Sequence, residues 1–246
     1  MLPRLQFPEI SPPADCNGLS AAPDRVSGDW LLWQLADSAF PTGGFAHSGG
    51  LEAAWQHGEV RNTGELATFI EASLTQFGNA SLPFMTAGFR DPGSLNKLDH
   101  LCDSFTSNHV ANRASRLQGR ALLSSAGRIF GLTELLELGP NGAAPPPHWH
   151  LAPIFGVVAQ ALGLGREPAA RLYLFLHLRG LIAGAVRLGI VGPLEAQSLQ
   201  HRLTPCLEIV MARCQNLPVE MIAQTAPLLE LWQGTQDRLY SRLFQS

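Results

Sequence analysis

The chain has 246 residues, a formal net charge of −3 and a charged fraction of 15%. A charge this low provides no basic field for nucleic acid or for an anionic membrane surface, so we expect neither as a partner. Hydrophobic residues make up 46% of the sequence, which is enough for one substantial core and predicts a single folded domain.

The N-terminal segment, residues 1–28, is interrupted by prolines and contains no long apolar run. It does not have the pattern of a signal peptide, so we expect a flexible leader and a cytoplasmic protein. The 4 cysteines form no Cys-x-x-Cys pair, and a chain of this length needs no disulfides. Free thiols in a reducing compartment are therefore expected.

The first predicted element is a short apolar segment from Trp30 to Ala36, behind a plausible N-cap at Asp29. We interpret it as a buried helix. Pro41 and the glycines after it end this helix, and a second helix is expected to begin after Ser48, whose hydroxyl can cap free amides. Residues 37–52, called the elbow below, are thus predicted to be a glycine-rich connection between two helices.

Several functions are compatible with the elbow. Clustered glycines ahead of a helix can bind phosphate, but the elbow has no lysine and follows no strand, unlike a P-loop or a dinucleotide fingerprint. His47 could be a metal ligand or a general base, although only Asp37 and Glu52 offer further ligand atoms nearby. Alternatively, His47 hydrogen-bonds the loop backbone, and the glycines let two helices or a partner's backbone approach closely.

Helical spacing of apolar residues continues along the rest of the chain. It predicts helices near 63–77, 84–89, 95–105, 108–130, 153–164, 167–188, 193–214 and 218–231, whereas hairpin signals are absent. The apolar segment 172–191 has the length of a membrane span, but His177, Arg179 and Arg187 interrupt it, which favours a central buried helix. We therefore predict an all-α, single-domain bundle of roughly eight to ten helices.

Two groups of polar residues remain open to interpretation. The arginines of the helix near 108–130 would form a cationic strip, which is either a solvated face or a docking surface for an acidic partner. His148 and His150 follow a proline-rich breaker near 139–147, and two imidazoles are too few to hold a metal alone. We interpret them as incidental loop residues and expect no metal site and no cofactor.

Three blocks of sequence resemble the UreF family of urease accessory proteins. The string LADSAFPTGGFAHSGGLE at 35–52 is long and unusual in composition. Asn112-Arg113-Ala114-Ser115, with Gln118-Gly119, looks like the central Arg-x-Ser-x-x-x-Gly helix of the family, and YSRLFQS at 240–246 looks like its C-terminal tail. The resemblance covers residues 29–246.

The resemblance implies a non-enzymatic chaperone and scaffold for nickel insertion into apo-urease. Such proteins dimerise, bind the D/H-type accessory protein (UreD or UreH) and recruit UreG, the nickel-carrying GTPase, whose GTP hydrolysis they modulate. A donated arginine finger, with Arg113 and Arg116 as candidates, would be one way to do so. We favour a scaffold and gate over a donated finger.

The resemblance also suggests a division into a leader (1–28), a helical domain (29–233) and a partner-binding tail (234–246). The tail is expected to fray when free and to order on the D/H-type protein, with Arg242 at that contact. The elbow is expected to touch UreG or a second copy of the chain. The predicted partner-binding residues are Asp37, Ser38, Phe40, Pro41, Gly43, Phe45, His47, Ser48, Glu52, Arg113, Ser115, Tyr240, Arg242 and Phe244.

The sequence departs from the family pattern at two places, and one rival function remains. Asn112 stands where many relatives carry an acidic residue, and residues 151–153 stand where they carry a histidine, for which His148 or His150 could substitute. The rival is a helical enzyme of the heme-oxygenase-like kind with an internal small-molecule pocket. It would need an inward histidine or a carboxylate cluster, and His177 is the candidate, although a lone apolar-face histidine is more often a core residue.

Overall fold

The computed structural model describes residues 28–139 and 145–246, so the predicted leader, apart from Gly28, lies outside the described residues. The described part is helical and contains no strand, and ten of its α-helices have nine or more residues, which confirms the predicted all-α bundle. The helices are α1 Gly28–Ala36, α2 Leu51–Gln56, α3 Thr63–Ala80, α4 Leu82–Arg90, α5 Leu95–Phe105, α6 His109–Ile129, α7 Thr133–Glu137, α8 Leu151–Ala161, α9 Arg166–Arg187, α10 Pro193–Arg202, α11 Thr204–Cys214 and α12 Pro227–Thr235.

Helix α9 is the central element and packs against α1, α2, α3, α4, α8, α10 and α11. By length and composition it could cross a membrane, but 56% of its most apolar window is buried inside the bundle. That burial is typical of a core helix, as predicted. Arg179 and Arg187 donate to the carbonyls of Ala36 and Phe45, so the two arginines tie α9 to the end of α1 and to the elbow.

Glycines allow the closest helix crossings of the bundle. A Cβ added at Gly156 of α8 would lie 2.1 Å from the Met85 carbonyl oxygen, and one at Gly88 of α4 would lie 2.5 Å from the Pro153 carbonyl oxygen. The backbones of α4 and α8 are therefore in direct contact. Gly119 of α6 has the same role against the Trp149 carbonyl, where an added Cβ would lie 2.1 Å from the oxygen.

Several boundaries differ from the prediction. The predicted helix 193–214 is divided at Leu203 into α10 and α11, with Pro205 in the first turn of α11, where its missing amide costs no hydrogen bond. Helix α3 begins at Thr63 as predicted but extends to Ala80, and its N-cap is Asn62, whose side chain accepts from the Glu65 amide at 3.0 Å. The last α-helix begins only at Pro227.

Helix α1 is not buried, so the prediction of a buried first helix is wrong. Trp30 and Trp33 are 63% and 61% exposed, and their rings form an edge-to-face pair with centroids 4.8 Å apart. Leu35 is the buried residue of this helix. Leu31 and Leu32 are partly buried against the core, and the two tryptophans are on the side of the helix that faces water.

Candidate functional site

The C-terminal tail folds back onto the elbow of the same chain. The first two residues of the tail, Gly234 and Thr235, are the last two residues of α12. The residues after the turn Gln236–Arg238 lie beside the elbow and α2. The Gln245 amide donates to the Ala46 carbonyl at 2.8 Å, and the Ser48 amide donates to the Ser246 main-chain oxygen at 2.5 Å. The tail therefore packs against its own domain.

Glu52 holds this arrangement from the first turn of α2. Its carboxylate is 1% exposed and accepts three N–H groups: the Leu243 amide at 2.6 Å, the Phe244 amide at 3.1 Å and the Gln236 side-chain amide at 2.6 Å. A buried carboxylate is stabilised when several N–H donors surround it. Glu52 therefore fixes the tail backbone through hydrogen bonds.

Phe244 is the apolar anchor of the tail. Its buried ring lies against Gly184 of α9 and under the guanidinium of Arg187, which is 4.2 Å from the ring centroid. The same guanidinium is 5.6 Å from the centroid of Phe45 in the elbow. Such cation–π contacts are strongest where the ring is desolvated. Phe244 is thus an internal contact, and it is not available to a partner while the tail is docked.

Three basic side chains contact the carboxylate of Asp237 near the N-terminus of α6. Arg113 donates to both carboxylate oxygens at 2.8 and 3.0 Å, Arg242 donates at 3.1 Å, and the Nε2 atom of His109 lies at 3.2 Å. The hydrogen bond from Arg113 is the main reason that the pKa of Asp237 is lowered. Exposed ion pairs contribute little singly, but this network joins two predicted contact residues, Arg113 and Arg242, on one carboxylate.

His47 and Ser48 complete the contact between the elbow and the tail. His47 Nδ1 lies 2.5 Å from the Ser246 hydroxyl, and the Ser48 hydroxyl donates to the Ser246 main-chain oxygen at 3.2 Å. Burial, followed by the charge of Arg113, lowers the pKa of His47 to about 4, so its imidazole is neutral near pH 7. The His47 ring therefore contacts the Ser246 hydroxyl of the tail, whereas the structural interpretation placed its hydrogen bond on the backbone of its own loop.

The elbow glycines permit close packing, which was one of the alternatives. Gly50 has a φ of 88°, and a Cβ there would lie 3.3 Å from the backbone nitrogen of Gln233 in α12. Only glycine adopts that conformation at low cost, and no other residue would let α12 approach so closely. The elbow is therefore shaped to accept α12 and the tail.

The predicted partner-binding residues divide into three groups. Phe40, Ser48, Glu52 and Phe244 are buried, and Ser115 faces another part of the chain, where its hydroxyl accepts from the Leu151 amide at 3.1 Å. Arg187, Gln236 and Asp237 were not identified as site residues from the sequence. Each of them contacts a residue that is far away in the sequence. The third group lies at the surface of the elbow, α6 and the tail. His47 is partly buried, and the other members are exposed: Asp37, Ser38, Pro41, Gly43, Phe45, Arg113, Tyr240 and Arg242.

A second buried carboxylate anchors the loop before α8. Asp99 of α5 accepts the consecutive main-chain amides of His148, Trp149 and His150 at 2.6, 3.0 and 2.7 Å. Trp149 has a φ of 63°, a region that favours glycine, so the aspartate stabilises an otherwise unfavourable turn. His150 is buried, with Nδ1 3.1 Å from the Ser115 hydroxyl, so it is a packed residue rather than an incidental one.

A cavity of about 540 Å³ lies between the elbow, α3, α6, α9 and α12. His177 lines it, hydrogen-bonds through Nε2 to the Ser73 hydroxyl at 2.9 Å, and stacks on Phe77 with centroids 4.0 Å apart. Within residues 28–139 and 145–246, no three His, Cys, Asp or Glu side chains converge as a metal-binding group. His177 is therefore a core residue whose ring nitrogen has a hydrogen-bond partner. The described residues provide no set of metal ligands for the rival oxygenase-like function.

The environment of His177 makes the stability of the fold dependent on pH. Burial lowers its pKa from 6.5 to about 4, so between these values the unfolded chain binds more protons than the folded chain. Stability is thus expected to fall as the pH decreases from 6.5 towards 4, by at most about 3 kcal/mol from this residue. Urea unfolding over this pH range should show a shallower dependence in His177→Gln than in wild type. The exposed-residue variant His201→Gln should follow wild type, and an unchanged slope in His177→Gln would contradict the assignment.

Comparison with known proteins agrees with these features. The UreF family model matches residues 60–204. Urease accessory protein F of Oryza sativa subsp. japonica is 37% identical over 244 residues, covering 94% of this chain and 92% of the relative. Urease accessory protein F of Arabidopsis thaliana is 39% identical over 221 residues, covering 88% and 92%, respectively. A UreF-like protein of Schizosaccharomyces pombe is 30% identical over 222 residues, covering 86% and 94%.

The family model covers the central helices, and the alignments with the plant relatives extend over nearly the whole chain. The matched residues 60–204 contain the α6 block, whereas the elbow and the tail lie outside them. The chaperone and nickel-insertion roles follow from the family. The chain therefore belongs to the UreF family of urease accessory proteins.

Proposed function

We propose that the chain is a non-enzymatic scaffold that binds the D/H-type accessory protein through its docked tail and the neighbouring elbow. The resulting complex recruits UreG in the cytoplasm for nickel insertion into apo-urease. The observation that carries this proposal is the tail itself, whose backbone is fixed by Glu52 while Tyr240, Arg242 and Leu243 point outward.

Exposure of the tail supports a protein contact. Tyr240 is fully exposed, and Leu243 is 52% exposed although its amide is held by Glu52. Leu228 and Leu231 on the adjoining α12 are exposed as well. Aromatic residues and arginines dominate the energetics of protein interfaces, and a fixed backbone lowers the entropy cost of using them. A partner would therefore meet a preformed surface.

The state of the arginines supports a scaffold and gate rather than a donated finger. Arg113 is held by Asp237, and Arg116 Nε donates to the His148 carbonyl at 3.2 Å. An arginine finger must reach the phosphates of the partner's nucleotide, which these two side chains would do only after leaving their own contacts. In this proposal the chain modulates GTP hydrolysis by positioning UreG.

A homodimer is the proposed oligomeric state of the free protein. The exposed Trp30–Trp33 pair on α1 supports it, since large exposed aromatic groups favour protein contacts. Light scattering of the purified chain measures this state directly, and a monomeric mass would contradict the dimer without affecting the tail.

The tail contact is tested by mixing the full chain with its D/H-type partner and then with UreG, followed by size-exclusion chromatography with light scattering. The double variant Tyr240→Ala/Leu243→Ala should bind the D/H-type protein at least about tenfold more weakly, because it removes two exposed anchors. Leu194→Ala, which removes a highly exposed apolar side chain on α10, is the control and should bind as wild type. Equal binding by the double variant would exclude the tail as anchor, and failure of wild type to form any complex would contradict the scaffold function.

A further inference from the structure

Two histidines that are far apart in sequence meet on a surface distinct from the tail and elbow. His100 of α5 and His148 of the loop before α8 approach with His100 Nδ1 and His148 Nε2 3.3 Å apart. The rings are edge to face, with centroids 5.1 Å apart. His100 is exposed, and the His148 side chain is 23% exposed, so solvent reaches the pair.

The separation of the two nitrogens suits a shared cation. Imidazole nitrogens that bind one tetrahedral metal at about 2.0–2.1 Å lie about 3.3 Å from each other. Imidazole is a preferred ligand of the late first-row cations Zn²⁺, Ni²⁺ and Cu²⁺. The same distance also fits a hydrogen bond between the two rings, and binding of a cation would replace the proton of that hydrogen bond.

A carboxylate lies behind His148, on the Nδ1 side of its ring. His148 Nδ1 lies 3.6 Å from Asp103 Oδ1, and that oxygen accepts from the Asn112 side-chain amide at 2.9 Å. A carboxylate near one ring nitrogen keeps the proton there and leaves the other nitrogen as the ligand, a common arrangement around metal-bound histidine. Asp103 thus lies on the Nδ1 side of the His148 ring, and Nε2 is the nitrogen that faces His100.

The backbone that carries both histidines is fixed before any cation arrives. Asp99 directly precedes His100 on α5, and its carboxylate accepts the main-chain amides of residues 148–150. These hydrogen bonds connect the backbone next to His100 with the backbone of His148. Little ordering is then needed on binding, and a preorganised pair binds more tightly than two mobile side chains.

We propose that His100 and His148 form an open binding site for a late first-row divalent cation, Zn²⁺ or Ni²⁺, with water in the remaining coordination positions. Two imidazoles are too few to hold a metal alone, so water completes the coordination and the cation of this site is exchangeable. This proposal stands on the geometry of α5 and the loop before α8, and it does not depend on the proposed partner complex.

The test is calorimetric titration of the full, tag-free chain with ZnCl₂ and, separately, with NiCl₂ near neutral pH. We expect one site per chain for at least one of the two cations, with affinity lowered about tenfold or more in His100→Ala and in His148→Ala. His201→Ala removes an exposed histidine on α10, and Cys16→Ser removes a thiol, so both variants should bind as wild type. Circular dichroism and thermal unfolding of each variant establish that its fold is retained.

Two results would overturn the proposal. The first is a wild-type chain that binds neither cation. The second is binding that survives unchanged in both His100→Ala and His148→Ala, or that disappears in Cys16→Ser instead. Neither result bears on the tail, because the complex with the D/H-type protein is measured separately and without added metal.

Discussion

Replacing Glu52 with glutamine is expected to release the C-terminal tail while the helical bundle stays folded. The carboxylate accepts three N–H groups in a buried position. A glutamine side chain has one acceptor oxygen, and its NH₂ group would face an N–H donor. An unsatisfied buried N–H costs about 1–3 kcal/mol, which is comparable to what holds a short terminal segment in place. Hydrogen exchange at the Leu243 and Phe244 amides should become at least tenfold faster.

Glu59→Gln provides the matched control, because this glutamate lies exposed just after α2. Its tail amides should exchange at the wild-type rate. If the tail surface binds the D/H-type protein, Glu52→Gln should also weaken that complex, even though every exposed side chain is unchanged. Slow exchange of the tail amides in Glu52→Gln would show that Glu52 does not hold the tail.

Replacing Gly156 with alanine is expected to destabilise the whole protein. The added methyl group would lie 2.1 Å from the Met85 oxygen and 2.6 Å from the Phe89 nitrogen, and both are backbone atoms of α4. Backbone atoms cannot rotate away, so α4 and α8 must separate and disturb the core on both sides. We expect a loss of about 3 kcal/mol or more in the free energy of unfolding, measured by urea denaturation.

Gly180→Ala is the control for this substitution. Gly180 is an exposed residue inside α9, and an added Cβ there meets nothing within 4 Å. Alanine should therefore stabilise the helix by roughly 0.5–1 kcal/mol, since glycine is the poorer helix former. Equal urea midpoints for Gly156→Ala and wild type would mean that the contact between α4 and α8 is looser than the structure has it.

Local patterns predicted the helices well because helical periodicity is a local property of the sequence. The long helix α6 begins after Asn108, whose side chain caps the amides of Val110 and Ala111, close to where the apolar spacing placed it. The turn in the elbow was equally readable from its proline and glycines. The exposure of Trp30 and Trp33 could not be predicted in this way, because a short apolar segment is compatible with either a core or a surface position.

Long-range contacts account for most of what the sequence did not reveal. Glu52 and Phe244 were identified as site residues, but as contacts to a partner, whereas the structure pairs them with their own chain. Nothing in a residue spacing of about 190 positions indicates such a contact. The sequence paired His148 with His150, whereas the structure places His100 of another helix beside it.

The anchor that Asp99 provides for residues 148–150 has a consequence for variation and engineering of the protein. Because the chain is fixed again at His148, changes in the number of residues between α7 and this anchor need not shift α8. Through Asp99, the position of α8 is thus set by α5 rather than by the length of the chain that precedes His148.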